Sequence, residues 1–279
     1  MAVTNGWGQG VENNTIEWGK GSTNNTNNWG SIYGSSAAGD TLLSAASFSN
    51  AFSLETDGVD QYVDCGVLST LNGLSEASLS CWVYLDASGQ QYLLSQWETT
   101  GGSNDNRQFA LMLKPSASQI DVYFGSSITY RTTSVTMNTG QWYHIVATYN
   151  ASNSPNRDKT IVYVNGTQYL QSINFNSPAT LKASPSTTFQ IGKRGGDTFY
   201  EIDGSIDEVS IFSKELSQSE ITAIYNSGAP TDLTGHAGIV NWWRMGDNDG
   251  GTGTTITDQV GSNNGTLINS PTFNSNVPT

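Results

Sequence analysis

Charge is scarce in this sequence: only 13% of its 279 residues are charged, and 11 are basic against 24 acidic. The formal net charge is −13 and no basic run occurs. That balance argues against nucleic acid or an anionic membrane surface as partner, because both are held by clustered Lys and Arg. Cysteine is almost missing. Cys65 and Cys81 are the only two, sit in no C-x-x-C or metal-ligand spacing, and alternate with apolar residues, so buried free thiols are expected rather than a disulfide. No window reaches the ~20 apolar residues that span a bilayer, so membrane insertion is not expected. Met1 to Trp7 lacks both a positive and an apolar leader region, so no Sec signal is expected either.

Helical periodicity is also nearly absent, and its one clear instance organises the rest. Gly204 to Gly228 reads GSIDEVSIFSKELSQSEITAIYNSG. Ile206 to Phe212 alternates as a strand, which places Asp207 on the face of Val209 and Ile211 and turns Glu208 to the other side. Ser217 then stands as an N-cap with Glu220 as its capping-box partner, and Leu216 against Ile221 as a hydrophobic staple. Ile221, Ile224 and Tyr225 form one apolar stripe, and Gly228 is the expected stop. Elsewhere the chain reads as strands: Leu79, Cys81, Val83 and Leu85 alternate, and further strands fit Tyr92 to Trp97, Phe109 to Leu113, Ile120 to Phe124, Trp142 to Tyr149, Thr160 to Val164 and Phe189 to Ile191. Asn165-Gly166 between two of them is the pair a tight hairpin favours, since both central positions need positive φ. Many strands and one short helix predict an antiparallel β-sandwich.

The 204–228 stretch resembles the closing signature of the laminin-G-like, concanavalin A-like lectin jelly rolls, G-x-I-D-E-V-x-I-[YF]-x-x-x-L-S-x-x-E-I. Ser53 to Val63 resembles that family's opening element, and Trp142 to Tyr149 with Thr160 to Gly166 resembles its W-x-H-V-A-x-x-Y and Y-V-N-G strands. The resemblance implies an all-β fold, an antiparallel β-sandwich of the concanavalin A-like jelly-roll type. It also implies a structural Ca²⁺ near the opening loop, with Asp207 and Asp57 or Asp60 as ligands, as a hard cation takes oxygen donors. The alternative for Asp207 is a loop cap made through backbone N–H groups. Such a fold hosts lectins, glycosidases, adhesion modules and virion proteins, so it does not name a function.

Both ends of the chain depart from a plain sandwich. Trp7-Gly8-Gln9-Gly10, Trp18-Gly19-Lys20-Gly21 and Trp29-Gly30-Ser31 repeat with an eleven-residue period. A unit that short cannot bury its own core, and tryptophan is costly to leave wet, so Trp7, Trp18 and Trp29 point to a docking arm. The repeat resembles N-terminal segments of tailed-phage virion proteins. Residues 1–45 are therefore read as a Trp/Gly-repeat arm and linker, and 46–279 as the jelly roll. Within it, 238–279 is read as returning to complete the sandwich, by circular permutation, with the start of a truncated second repeat as the alternative.

For function, retaining glycosidases on related sandwiches need paired carboxylates about 5 to 5.5 Å apart, and Glu201-Ile202-Asp203 is the nearest approach, without a third acid. His144 and His236 have no neighbouring Ser-Asp or Cys context, so no catalytic residue is assigned and an enzyme is not expected. Sugar binding needs aromatic platforms with amide and carboxylate partners. Trp97 with Asn104, Asp105, Asn106 and Arg107, in a long polar loop, is the candidate glycan site. The leading expectation is a non-enzymatic phage virion protein, a capsid decoration, head-fibre or tail-fibre component. Its arm would bind other capsid or tail proteins and its sandwich a host surface glycan, with a homo-oligomer left open. The alternative is a bacterial secreted carbohydrate-binding or adhesion module acting extracellularly.

Overall fold

A computed structural model describes residues 48–98, 107–125, 128–132, 134–169, 177–183, 186–196 and 199–279. The arm, with Trp7, Trp18 and Trp29, lies outside the described residues, as do Asn104, Asp105 and Asn106. In chain order the strands are β1 (Ser53–Asp57), β2 (Tyr62–Asp64), β3 (Glu76–Leu85), β4 (Gln91–Trp97), β5 (Arg107–Lys114), β6 (Gln119–Phe124), β7 (Ile128–Arg131) and β8 (Trp142–Asn150). They continue as β9 (Thr160–Val164), β10 (Thr167–Tyr169), β11 (Phe189–Ile191) and β12 (Asp203–Phe212). The single α-helix among the described residues, α1 (Gln218–Tyr225), precedes β13 (Ile239–Trp243), β14 (Thr255–Ile256), β15 (Gly265–Ile268) and β16 (Thr272–Asn274).

These strands form two eight-stranded antiparallel sheets. The first runs β10-β9-β8-β3-β12-β1-β16, with β13 also paired to β12, and the second runs β14-β15-β2-β11-β4-β5-β6-β7. The C-terminal strands add to both: β13 and β16 join the first sheet through β12 and β1, and β15 joins the second through β2. The core lies between the sheets and collects the inward residues of each, including Leu79, Cys81, Val83, Phe109, Leu111, Val122, Ile206, Val209 and Ile211. Cys65 and Cys81 are buried free thiols within it.

Two turns show how local chemistry sets the frame. Asn165 and Gly166 both have positive φ, 49° and 73°, and close β9 onto β10 with a two-residue loop. Gly204, the second residue of β12, has φ 143°, and a Cβ there would sit 2.0 Å from the carbonyl oxygen of Tyr84 on β3, so only glycine lets the two backbones pair there.

The helix forms as its cap predicts: the Ser217 hydroxyl accepts from Glu220 N while the Glu220 carboxylate accepts from Ser217 N. It stops earlier than Gly228. Asn226 takes the left-handed conformation at φ 44° and its N–H bonds Thr222 O, with a 3₁₀ turn following. Ile221 and Ile224 bury against Val146, Tyr163, Phe212, Leu233 and Trp242, closing the outer side of the first sheet. Each such side chain contributes about 1.5 to 3 kcal/mol on removal from water.

Candidate functional site

Two clusters of functional side chains stand out, one on the outer side of each sheet. The first is made by a bulge. On one edge β12 pairs with β1 from Asp203 to Ile206 and with β13 from Val209 to Phe212, and on the other its register against β3 shifts between Asp207 and Ser210. Glu208 sits in that break at φ 46°. The extra residue turns Asp207 and Glu208 to the same side, outward from the core and toward Trp242 and residues 48–50. This corrects the strict alternation read from sequence, which put Asp207 with Val209 and Ile211 and separated the two carboxylates.

Carboxylate oxygens of Asp207, Glu208 and Asp247 lie within 4.8 Å of one another. Asp207 Oδ1 accepts from Glu208 N at 2.8 Å and Oδ2 from Asn50 Nδ2 at 2.9 Å. Glu208 accepts from Arg244 Nε at 3.0 Å and from Trp242 Nε1 at 2.5 Å. Asp247 accepts from Ala51 N at 2.7 Å and pairs with Arg244 at 3.4 Å. The Arg244 guanidinium also bonds Ser49 O and lies 4.4 Å from the Phe48 ring centroid. Burial pushes Glu208 up to about 7 against the pull of Arg244, and burial with the Glu208 charge pushes Asp207 well above the usual carboxylate range.

Asp57 and Asp60 are not part of this cluster. Asp57 pairs in register with Asp203, four residues along β12 from Asp207, which is about 13 Å of strand. Its Oδ1 accepts from Val59 N, and Asp60 O accepts from Asn269 Nδ2. Nor do the three clustered acids fit Ca²⁺ as arranged. A calcium ion needs six to eight oxygens facing it at 2.3–2.6 Å. Here every carboxylate oxygen faces an N–H donor, and a guanidinium supplies the positive charge.

The second cluster lies on the outer side of the second sheet. Tyr92, Trp97, Ala110 and Met112 form a separate apolar group with Tyr123 against it. Trp97 and Arg107 are register partners across β4 and β5, and the Arg107 guanidinium lies 5.1 Å from the Trp97 ring centroid. Arg194, from the segment after β11, lies 4.6 Å from the Tyr92 ring and 5.7 Å from the Trp97 ring. Tyr123 meets Trp97 edge-on at 5.2 Å. Trp97 is only 3% exposed, so it is not an open platform as its sequence position suggested, and its Nε1, like Arg107 Nε, is buried without a hydrogen-bond partner.

Among the described residues the exposed aromatics are Phe199, at 68%, and Tyr200, at 47%. Their rings are 6.3 Å apart, and Tyr200 lies 6.5 Å from Tyr92. Tyr200 is held at φ 71° with its carbonyl accepting from Tyr92 N at 2.7 Å. Positive φ in a bulky aromatic is sparsely populated, and such strain clusters at functional sites. Phe199, Tyr200 and Arg194 were not singled out from sequence. Lys193-Arg194-Gly195-Gly196 was the visible signal, two cations in a row in a chain that has 11.

His144 is fully buried, tilted against Trp82 at 4.9 Å and stacked on Tyr225 at 6.1 Å, with Nε2 2.8 Å from Ser80 Oγ. A Ser–His contact therefore exists that sequence spacing did not reveal, but the pair is closed off from solvent. Burial pushes the imidazole down to about 3.

An antiparallel jelly-roll sandwich of this kind hosts lectins among several other functions. The chain belongs to the concanavalin A-like lectin/glucanases superfamily, whose family profile matches residues 57–222. Among solved structures it is similar to a protein from Bacteroides ovatus described as a candidate carbohydrate-binding protein, with TM-score 0.62 and 19% identity over 83% of this chain and 62% of that one. It is also similar to the heptameric SAP-like pentraxin of Limulus polyphemus, with TM-score 0.51 and 15% identity over 63% of this chain and 82% of that one. The chain thus spans 62% of the length of the Bacteroides protein, and identities this low speak to the fold alone. No curated protein matches the sequence.

Proposed function

We propose that this chain is a non-enzymatic carbohydrate-binding module of the secreted adhesion type, and that its recognition surface is the aromatic, arginine-bearing outer face of the second sheet. The observation that carries this reading is the exposed Phe199–Tyr200 pair, displayed through a strained backbone beside Tyr92 and the two arginines. Sugar rings present C–H faces that stack on such aromatics, while their hydroxyls need the polar groups around them. The acids speak against hydrolysis. Glu201 is 4% exposed and paired with Lys193, and the Asp207 cluster is buried and occupied by donors, so neither offers a free acid and base across a substrate bond.

Affinity electrophoresis of the full chain in gels containing soluble polysaccharides tests the reading. A polysaccharide that retards the wild type should retard Tyr200→Ala much less, by about tenfold in affinity for one lost stacking contact. Tyr200→Gly should lose the same binding while gaining about 1 kcal/mol of stability from relief of the positive φ. If both variants bind as the wild type does, the face is not the recognition surface.

A second reading places the module on a virion, where the arm would dock to capsid or tail proteins and the sandwich would face a host glycan. The observation favouring it is the eleven-residue Trp7, Trp18, Trp29 repeat. Deleting residues 1–45 should then abolish co-sedimentation with particles while leaving a folded sandwich. A deletion variant that unfolds assigns the tryptophans to the core instead.

A further inference from the structure

We infer that the glycan taken by this face is acidic and that Arg107 receives its carboxylate; the inference rests on the carbohydrate-binding reading above. The chain has 11 basic residues, and five of them, Arg107, Lys114, Arg131, Lys193 and Arg194, are on the outer side of the second sheet. Most of that charge has a partner within the protein. Asp121, fully buried, takes Lys114 Nζ at 2.5 Å and Arg131 through both its oxygens, at 2.6 and 2.7 Å. Lys193 pairs with Glu201 at 3.2 Å.

Arg107 differs from these. No carboxylate pairs with it among the described residues, and its guanidinium is fixed by stacking over Trp97 rather than by an acid. Its buried Nε has no acceptor, and neither does the buried Nε1 of Trp97, its register partner across the strands. Arg107 as a whole is half-buried, and only its terminal N–H groups, which are not among the buried atoms, are open to an acceptor from outside. A guanidinium held in place by stacking, with no acid of its own, keeps its charge for a ligand. An anionic group with two coplanar oxygens fits it, since a guanidinium fork matches a carboxylate and a neutral hydroxyl leaves the charge unanswered. In a protein of net charge −13 an anionic ligand is otherwise repelled, which makes a pre-stacked arginine the more specific a receptor.

The test is titration calorimetry of the full chain with polygalacturonate, its fully methyl-esterified form, dextran and dextran sulfate. Polygalacturonate should bind, weaken with added salt, and lose about tenfold in affinity on methyl esterification or in Arg107→Gln, because each removes one charge-assisted pair. Arg107→Lys should recover only part of it, since the fork is lost though the charge stays. Arg107→Met, a second neutral side chain of similar length, should show the same loss and replaces Arg107→Gln if that variant does not fold. Equal binding of the acid and its ester, or an unchanged Arg107→Gln, overturns the inference. Tighter binding of dextran sulfate overturns the carboxylate assignment. If dextran binds and Tyr200→Ala abolishes that binding, the carbohydrate-binding reading stands and the acidic one falls. If no polymer binds the wild type, both fall.

Discussion

Replacing His144 with Gln should flatten the pH dependence of stability on the acid side of neutrality. The ring sits at 0% exposure against Trp82 and Tyr225, and Ser80 Oγ is its one hydrogen-bond partner, so nothing compensates a positive charge there. Its folded-state pKa is pushed from 6.5 down to about 3. For a base with a depressed pKa, the unfolded chain takes up a proton as pH falls through 6.5 while the folded chain does not. Stability is therefore intact above 6.5 and is lost progressively down to about 3. Linkage puts that loss at roughly 2 kcal/mol by pH 5 and roughly 3 kcal/mol by pH 4. Glu208 and Asp207 act with the opposite sign. Their raised values mean that the fold binds protons more readily than the unfolded chain, so their burden eases as pH falls from about 7. Both groups are present in wild type and variant, so they cancel in the difference. Urea unfolding at pH 7, 6, 5 and 4 on each protein isolates the histidine. The variant is less stable at pH 7, because it loses the stacked ring, but the gap should shrink by about 2 kcal/mol between pH 7 and 5. A gap that stays constant over that range refutes a neutral buried imidazole and the reasoning with it.

Two further perturbations probe the frame. Arg244→Met removes the cation that pairs with Glu208 and Asp247 among the described residues, and breaking a buried pair from one side should cost about 3 to 5 kcal/mol in urea unfolding at pH 7.5. Adding Glu208→Gln to it should recover part of that loss, whereas a loss below about 1 kcal/mol would mean the cluster is not electrostatically coupled. Gly204→Ala forces a Cβ against Tyr84 O and should destabilise by about 3 kcal/mol or more, while Gly73→Ala, with nothing within 4 Å, should lose only about 1 kcal/mol for its positive φ. Similar losses at the two glycines, read by thermal unfolding, would show that the β3–β12 close approach is not what requires glycine.

Much of the fold was legible because its signals are local. The helix start at Leu216 to Ile221 is a set of bonds made within four residues, and the Asn165-Gly166 turn is a statement about two φ angles. Alternation along β3 and β8 records the side of a sheet that each residue faces, and needs no knowledge of the partner strand. A closing pattern from Gly204 onward was long enough to resemble a family, and that family is the one the chain belongs to.

What sequence could not supply depended on register and on residues far apart in the chain. One inserted residue at Glu208 turned two adjacent carboxylates to the same side, and alternation has no means of announcing a bulge. The partners of those carboxylates, Asn50 and Arg244, stand 157 and 36 residues away, and only folding brings their donors to oxygens that would otherwise have looked ready for a metal. Trp97 was legible as an aromatic beside a polar loop, but whether it lies open depends on Arg107 and Arg194 arriving from other segments to cover it. Tyr200 gained its meaning from a backbone angle and an exposure, neither of which is written in composition. The sequence by itself determined an antiparallel sandwich with one capped helix, because short-range hydrogen bonds and period-two burial are encoded residue by residue. The tertiary structure alone decided which charges are satisfied and which aromatic faces solvent, because desolvation and pairing are properties of neighbours in space.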